Sequence, residues 1–248
     1  MIKYKVNPSC ILDFKEFILN IQGHFSQNSN SIHKVRNEIK IIEYSNQETV
    51  VKSFKIPHLI NRIVYTFFRN SKAKKSYEYS LRIAEFVPSP IGFIEFYTDN
   101  LIGKSYFISE YFNYDFTIRE PLLDNDFSNK KEILESFAKF TFELHENDIL
   151  HQDYSPGNIL IKKTNGEFIF KIVDINRMQF KSLDLDTRLK NFEKLWAKDK
   201  DLIIIVTAYA KLIGANKAYC IQKALNYSQK NKNKINMKKR FKGIPVVD

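Results

Sequence analysis

Cysteine is scarce in this chain: Cys10 and Cys220 are the only two in 248 residues, far apart and in no C-x-x-C arrangement. That excludes a disulfide scaffold, argues against a zinc site, and makes a reducing cytoplasm the natural compartment. No continuous apolar run follows the start, Met1-Ile-Lys-Tyr-Lys-Val-Asn-Pro8, so no cleaved signal peptide is expected. The longest apolar stretch, Leu202 to Ala210 and on to Ala215 across Lys211, is too short to span a bilayer. It reads as a buried core helix. There is no internal repeat and no low-complexity segment. Acidic residues are also short, 28 Asp plus Glu against 39 Lys plus Arg, which leaves a net charge of +11. Such a balance favours an anionic partner, whether nucleic acid, nucleotide or acidic membrane surface, although a lysine-rich solvated surface produces the same number. The basic residues are densest from Arg62 to Arg82, including Arg69, Lys72, Lys74 and Lys75, and from Lys230 to Lys242. The aromatics sit at core-like spacing and are not interleaved with lysines along a strand face, so a nucleic-acid partner is not expected.

What is present is ordinary for a globular protein, 44% hydrophobic and 27% charged, in a length sufficient for two lobes with their own cores. Asn7 and Pro8 open an amphipathic helix through Ile11, Phe14, Ile18 and Ile21, and the polar stretch Gln22 to Ser31 reads as loop. The β-branched runs Ile39–Tyr44 and Thr49–Phe54 predict a hairpin. Helices are expected over 57–70 and 72–86, then a second strand pair over 91–97 and 105–112. After Asn113 the pattern becomes helical. A single apolar stripe, Ile133, Phe137, Phe140 and Leu144, runs through a helix expected over 126–146. Further helices are expected over 186–196, 202–212 and 216–228, and the last twenty or so residues read as loosely organised. A β-rich first part and a helical second part place the boundary near Glu110 to Asn113, giving lobes of 1–112 and 113–248. The fold class is α+β and bilobal, with a ligand expected in the cleft between lobes.

The most informative stretch is His151-Gln-Asp-Tyr-Ser-Pro-Gly-Asn158-Ile-Leu-Ile161, followed by an apolar strand that ends in Asp174. Phosphoryl transfer from ATP needs a carboxylate to receive the proton of the attacking hydroxyl and oxygen ligands for magnesium. Asp153 fits the first role; Asn158 and Asp174 fit the second. A lone Asp or Asn in a loop is usually a turn residue, but three in this order, each beside a strand, form a specific pattern. His151 supports the loop geometry more readily than it does chemistry. Upstream, Lys52 sits in the second strand of the first hairpin, where its ammonium can reach the α- and β-phosphates, and Glu78 is the carboxylate expected to hold it. Glu85 competes for that task from the end of the same helix.

The order Val51-Lys52, Glu78, His151-x-Asp153-x-x-x-x-Asn158 and Asp174 resembles the protein-kinase-like fold. More closely, Asp153-Tyr-Ser-Pro-Gly-Asn158-Ile-Leu-Ile161 with Asp174-Ile-Asn-Arg-Met178 is similar to the lipopolysaccharide core sugar kinases, which phosphorylate Kdo or heptose. The similarity covers roughly residues 32–192. It implies an ATP- and magnesium-dependent enzyme whose acceptor is a lipid-linked sugar, cytoplasmic and peripheral at an anionic membrane face, with the backbone near Glu110 to Phe112 meeting the adenine. Three departures stand out. No G-x-G-x-x-G precedes the first strand pair; the place holds His33-Lys-Val-Arg-Asn37, so backbone amides with Lys34 or Arg36 would cover the phosphates. Asp174 is followed by Ile-Asn-Arg, and Arg177 could meet phosphate, an acidic acceptor or a core carboxylate. Finally, about ten residues separate Asp174 from the next helix and no Ala-Pro-Glu follows. That leaves little room for a peptide-docking activation loop and favours a small or lipid-linked acceptor. A protein or small-molecule kinase of the same fold, and a non-catalytic nucleotide-binding scaffold, remain the alternatives.

Overall fold

The computed structural model describes residues 1–29, 31–34 and 37–245. Arg36 lies outside them. The chain divides into two units, Met1–Asn113 and Tyr114–Asp248.

The first unit is built on a six-stranded antiparallel sheet in the order β1-β5-β6-β4-β3-β2. Its strands are β1 (Ile2–Val6), β2 (Ser31–Lys34), β3 (Asn37–Tyr44), β4 (Gln47–Phe54), β5 (Pro90–Thr98) and β6 (Leu101–Glu110). The hairpin expected from 39–54 forms, closed by Ser45 and Asn46, both left-handed, and Asp99 with Asn100 closes β5–β6 in the same way. Two consecutive residues at positive φ suit the right-handed twist of the flanking strands. One face of the sheet carries α1 (Ile11–Leu19) and α2 (Ile21–Gln27), with Phe14, Phe17, Ile18, Ile21 and Phe25 packed on Ile42, Val51, Ile94 and Ile108. Gly92 is required there, because a Cβ would come within 2.4 Å of Ile18 Cδ1 and 2.6 Å of the Lys5 carbonyl oxygen. The opposite face carries α4 (Lys72–Arg82), where Ala73 and Tyr77 pack with Phe54, Phe93 and Phe107. α3 (Leu59–Phe67) precedes it.

One segment of this unit departs in kind from the sequence expectation. Residues 22–31 do not begin as loop: Ile21–Gln27 is helical, with Ile21 and Phe25 buried. Its final turn is completed from elsewhere, since the buried Lys40 ammonium of β3 donates to the carbonyls of Phe25 and Asn28, each at 2.7 Å. Cationic capping of orphan helix carbonyls is a tertiary event that local pattern does not report. At the start, Ile2, Tyr4 and Val6 alternate with lysines and form an edge strand paired to β5, a place where lysines discourage further pairing.

The second unit holds a small sheet, β10-β9-β7, of β7 (Phe116–Thr117), β9 (Ile159–Thr164) and β10 (Glu167–Ile172), and a strand pair of β8 (Ile149–His151) with β11 (Met178–Phe180). Asn165 and Gly166, both at positive φ, make the β9–β10 turn. The helices are α5 (Arg119–Leu123), α6 (Lys130–Glu146), α7 (Leu185–Asn191), α8 (Asp199–Leu212) and α9 (Lys217–Phe241). α6 buries the expected stripe, Ile133, Phe137, Phe140 and Leu144, and α8 is the buried core helix its composition predicts. A buried ion pair, Lys130 Nζ to Asp201 at 2.9 Å, ties α6 to α8. The helix expected over 216–228 forms, capped by Asn216 and anchored through buried Cys220, Ala224 and Ser228, but it runs on to Phe241 as α9, a helix of 25 residues, where the sequence read as loosely organised. No helix among the described residues is long and apolar enough to cross a membrane.

Candidate active site

Register decides where the second unit's polar residues meet. In the β9–β10 hairpin Ile159 lies opposite Ile172, so Asn158 falls opposite Val173, and the Val173 N–H donates to the Asn158 carbonyl at 3.0 Å. Asp174 is the next residue. Asn158 closes a short 3-10 turn, Pro156–Asn158, and its side-chain amide donates to the Asp153 carbonyl at 2.9 Å. Its Oδ1 therefore remains as an acceptor. Asp153 is fixed from the other side as well, because its own N–H donates to His151 Nδ1 at 3.1 Å. His151 Nε2 then donates to the Val173 carbonyl at 3.0 Å. The four bonds form a closed circuit through 151, 153, 158 and 173, and Asp174 follows it directly in the chain.

His151 completes that circuit only while neutral, with Nδ1 accepting and Nε2 carrying the proton. Burial pushes its pKa down, against the smaller opposing effects of the Val173 carbonyl and of Asp153 and Asp174. Desolvation of the imidazolium is the cause. The histidine thus positions the loop, as its sequence context suggests. Asp174 takes the left-handed conformation, φ 57° and ψ 47°, with its Oδ1 accepting from Asn176 Nδ2 at 2.9 Å. A non-glycine residue held there is strained, and Asp and Asn tolerate it best. Asp153 and Asn158 are half-buried and Asp174 is exposed. Among the described residues no three His, Cys, Asp or Glu side chains gather as a metal cage. One carboxylate and one amide oxygen on adjoining backbone nonetheless suit magnesium, which keeps waters and shares substrate phosphates.

Several residues that support this loop carry no signature in the motif itself. Asn191, at the end of α7, donates its Nδ2 to the His151 carbonyl at 3.0 Å and offers Oδ1 to His145 Nε2 at 3.2 Å. His145 Nδ1 in turn meets the Tyr209 hydroxyl at 2.7 Å. Burial lowers the His145 pKa to about 4, so this ring is neutral too. Tyr154 is fully buried, its hydroxyl 2.9 Å from that of Thr141 and its ring stacked on Phe137. Arg119 packs its guanidinium over Gly157, where a Cβ would come within 2.6 Å of Nη2. The glycine in the motif was the available signal for that approach. Arg177 is exposed, and its carbonyl receives the Gln152 N–H at 3.0 Å.

In the first unit Lys52 lies in β4, paired with Ile39 and Phe107, its ammonium 5.5 Å above the Phe54 ring. Alternation puts it on the same face as Phe54, the face covered by α4. Glu78 is not directed toward it. The residues of α4 that face the sheet are Ala73, Ser76, Tyr77 and Ser80, and at 100° per residue Glu78 points away from them. It is exposed, accepts from Asn70 Nδ2 at 2.9 Å and lies 3.8 Å from Lys74 Nζ. The expected Lys52–Glu78 pair is therefore corrected: helix phase assigns Glu78 to the outer surface. Glu110 ends β6 with its N–H donating to the Ser89 carbonyl at 2.9 Å, and Tyr111 N–H is held by Glu48 at 3.0 Å. Phe112 follows, half-buried.

An antiparallel sheet unit with helices on both faces, followed by a helical unit that carries this loop, defines a kinase-like fold. Comparison with solved structures agrees: the chain matches a structure titled WaaP in complex with acyl carrier protein, with a TM-score of 0.58 over 92% of this chain and 99% of that one, at 12% identity. It also matches the Rio2 kinase–ADP/Mg2+–phosphoaspartate complex from Chaetomium thermophilum at 15% identity, covering 83% of this chain and 65% of that one, but with a TM-score of 0.47. The first likeness carries the fold; the second is too weak to add to it. No family model and no curated protein sequence matches the chain.

Proposed function

We propose that this protein is an ATP- and magnesium-dependent kinase that transfers the γ-phosphate to a sugar hydroxyl of the lipopolysaccharide inner core, Kdo or heptose. The observation that carries phosphoryl transfer is the closed hydrogen-bond circuit, which holds Asp153 and Asn158 on a rigid turn beside Asp174. Asp153 takes the proton of the attacking hydroxyl and aims that oxygen at the phosphorus. Little covalent work is asked of the protein, and most of the rate comes from positioning and charge neutralisation. Asn158 Oδ1 and the Asp174 carboxylate are assigned to magnesium, which when bound with ATP offsets the phosphate charge. Lys52 is assigned to the α- and β-phosphates. Phe112 backbone is assigned to the adenine edge, since the neighbouring Glu110 and Tyr111 N–H groups already serve the sheet.

Two features support the acceptor class. The fold likeness to WaaP agrees with the resemblance that the catalytic loop bears to lipopolysaccharide core sugar kinases. The segment after Asp174 also gives residues 178–180 to β11 and reaches α7 at Leu185, so it offers no long loop for docking a peptide.

The test is transfer from γ-labelled ATP with magnesium to Kdo-containing lipid A, to heptose-containing core, and to a protein mixture. Wild type is compared with Asp153→Asn, which keeps the loop's backbone bonds. Label in the lipid-linked sugar with wild type alone is the expected result. Label in protein only would overturn the acceptor, and equal turnover by Asp153→Asn would overturn the base.

A further inference from the structure

α3 is mounted with its polar side toward the protein. The Arg62 guanidinium donates to the carbonyls of Ile102 at 2.7 Å, Thr98 at 3.1 Å and Leu101 at 3.3 Å. Thr66 Oγ1 accepts the Ile102 N–H at 3.0 Å and donates to the Arg62 carbonyl at 2.7 Å. The bonds at Leu101 and Ile102 serve a part of β6 that β4 does not reach, because the β4–β6 ladder spans only Ser105 to Glu110, and the bond to Thr98 serves the end of β5. The basic cluster expected to begin at Arg62 therefore begins later, since Arg62 is committed to the fold.

With Arg62 and Thr66 turned inward, Ile60, Ile63 and Phe67 lie on the solvent side of the helix, while Val64 is half-buried. No residue of the helix is buried. Ile60 is 77% exposed and Phe67 66%, and the adjoining Leu59 and Phe68 are 62% and 79% exposed. A surface helix normally turns its apolar stripe to the core; here the stripe faces out, and a contiguous patch of this kind marks a docking surface. Its rim is basic. Lys55, His58, Arg69 and Lys72 are exposed around it, and no Asp or Glu occurs from Thr49 to Tyr77. Asp99 is the carboxylate of the adjoining β5–β6 turn, and Glu78 is engaged by Asn70 and Lys74.

We infer that α3 lies on an anionic phospholipid surface, with Ile60, Ile63, Phe67 and Phe68 at the acyl boundary and Lys55, Arg69 and Lys72 at the headgroup phosphates. Apolar depth and anionic charge together are what such a surface offers an amphipathic helix. A second copy fits less well, because a two-fold interface would set the same basic rim against itself. The inference stands on α3 and its rim and does not depend on phosphoryl transfer.

The experiment is co-sedimentation of the full chain with phosphatidylcholine vesicles, with and without phosphatidylglycerol, alongside sedimentation velocity without lipid. Binding to the anionic vesicles is expected, weakening by about fivefold for each charge removed from Lys55, Arg69 and Lys72 by Gln. The triple variant Ile60→Gln, Phe67→Gln, Phe68→Gln should lose binding by at least about tenfold while its circular dichroism is unchanged, since the three side chains are exposed. Phe67→Trp supplies a reading that does not depend on that variant: its emission should shift to the blue on the vesicles and be quenched by brominated lipid. Absence of vesicle binding, or binding indifferent to the triple variant, would overturn the inference. So would a dimer in solution that the same variant dissolves, which would assign the face to a second copy.

Discussion

Replacing Asn191 with Leu tests whether the loop that carries Asp153 and Asn158 is held by the network behind it. The side chain is buried and nearly isosteric with Leu, so volume changes little; what is lost is one donor and one acceptor. The His151 carbonyl loses the Nδ2 bond at 3.0 Å, and His145 Nε2 loses its acceptor at 3.2 Å. A buried polar group left unsatisfied costs about 1–3 kcal/mol. His145 can lessen its share by moving its proton to Nδ1 and donating to Tyr209; the carbonyl has no such escape. We expect a loss of about 2–4 kcal/mol for the transition that contains the second unit, a fall in its Tm of roughly 5–15 °C. Turnover should fall by more than stability alone explains, since an ~1 Å displacement of reacting groups can cost about a hundredfold. Urea unfolding followed by circular dichroism gives the first number, and kcat measured well below the transition gives the second. A stability change under about 0.5 kcal/mol, the ordinary range of surface substitutions, would refute the claim that Asn191 holds the loop.

The buried histidines predict a pH dependence of known sign. His145 has a folded pKa of about 4 against 6.5 when solvated, so the unfolded chain binds the extra proton between those values. Its contribution is fully present above pH 6.5 and declines as pH falls toward 4, by about 3 kcal/mol in all; His151, also lowered, acts in the same direction. Unfolding free energies that are flat across that window would contradict the neutral-imidazole network. Gly92→Ala should destabilise the first unit by about 1–3 kcal/mol, the usual cost of overpacking. One of its two clashes, 2.6 Å to the Lys5 carbonyl, is with backbone that cannot step aside; a change below about 0.5 kcal/mol would show that α1 and β1 yield there.

The elements legible in the sequence were those whose signal is local. The hairpin at 39–54 declares itself by β-branched runs around a turn, the α6 stripe by its 3.6-residue period, and Asp153, Asn158 and Asp174 by spacing. Asn158 and Asp174 are placed on adjoining backbone by the β9–β10 register, which the Asn165–Gly166 turn fixes, and Asp153 is tied to them by the Asn158 amide. What was not legible depends on partners distant in sequence. α2 looked like loop because its last turn is capped by Lys40, a residue of β3. The last residues looked loose because their apolar positions are few, yet they continue the helix, and Asn231 and Lys232 dock it by donating to the carbonyls of Glu193 at 3.0 Å and Ala197 at 2.7 Å.

Glu78 and α3 show the same limit from opposite sides. In each case the sequence marks a helix, and what it does not report is phase, the one angle that composition leaves free. For α4 the phase follows from burial: Ala73, Tyr77 and their neighbours are the groups that can enter the Phe54–Phe93 layer, and once they do, Glu78 must face solvent. Apolar burial of this kind outweighs a possible ion pair with Lys52, because a half-exposed pair contributes only about 0–1 kcal/mol, whereas burying one large apolar side chain contributes about 1.5–3. For α3 the same rule would turn Ile60 and Phe67 inward, and it does not operate, because Arg62 is held by three backbone carbonyls beside the β5–β6 turn, those of Thr98, Leu101 and Ile102. Satisfying those polar groups leaves an apolar face in solvent, a cost that a partner surface would remove. Replacing Arg62 should therefore separate the two roles: a short side chain there frees the helix to roll its apolar stripe onto the sheet, which would bury Phe67 and abolish any docking that depends on it.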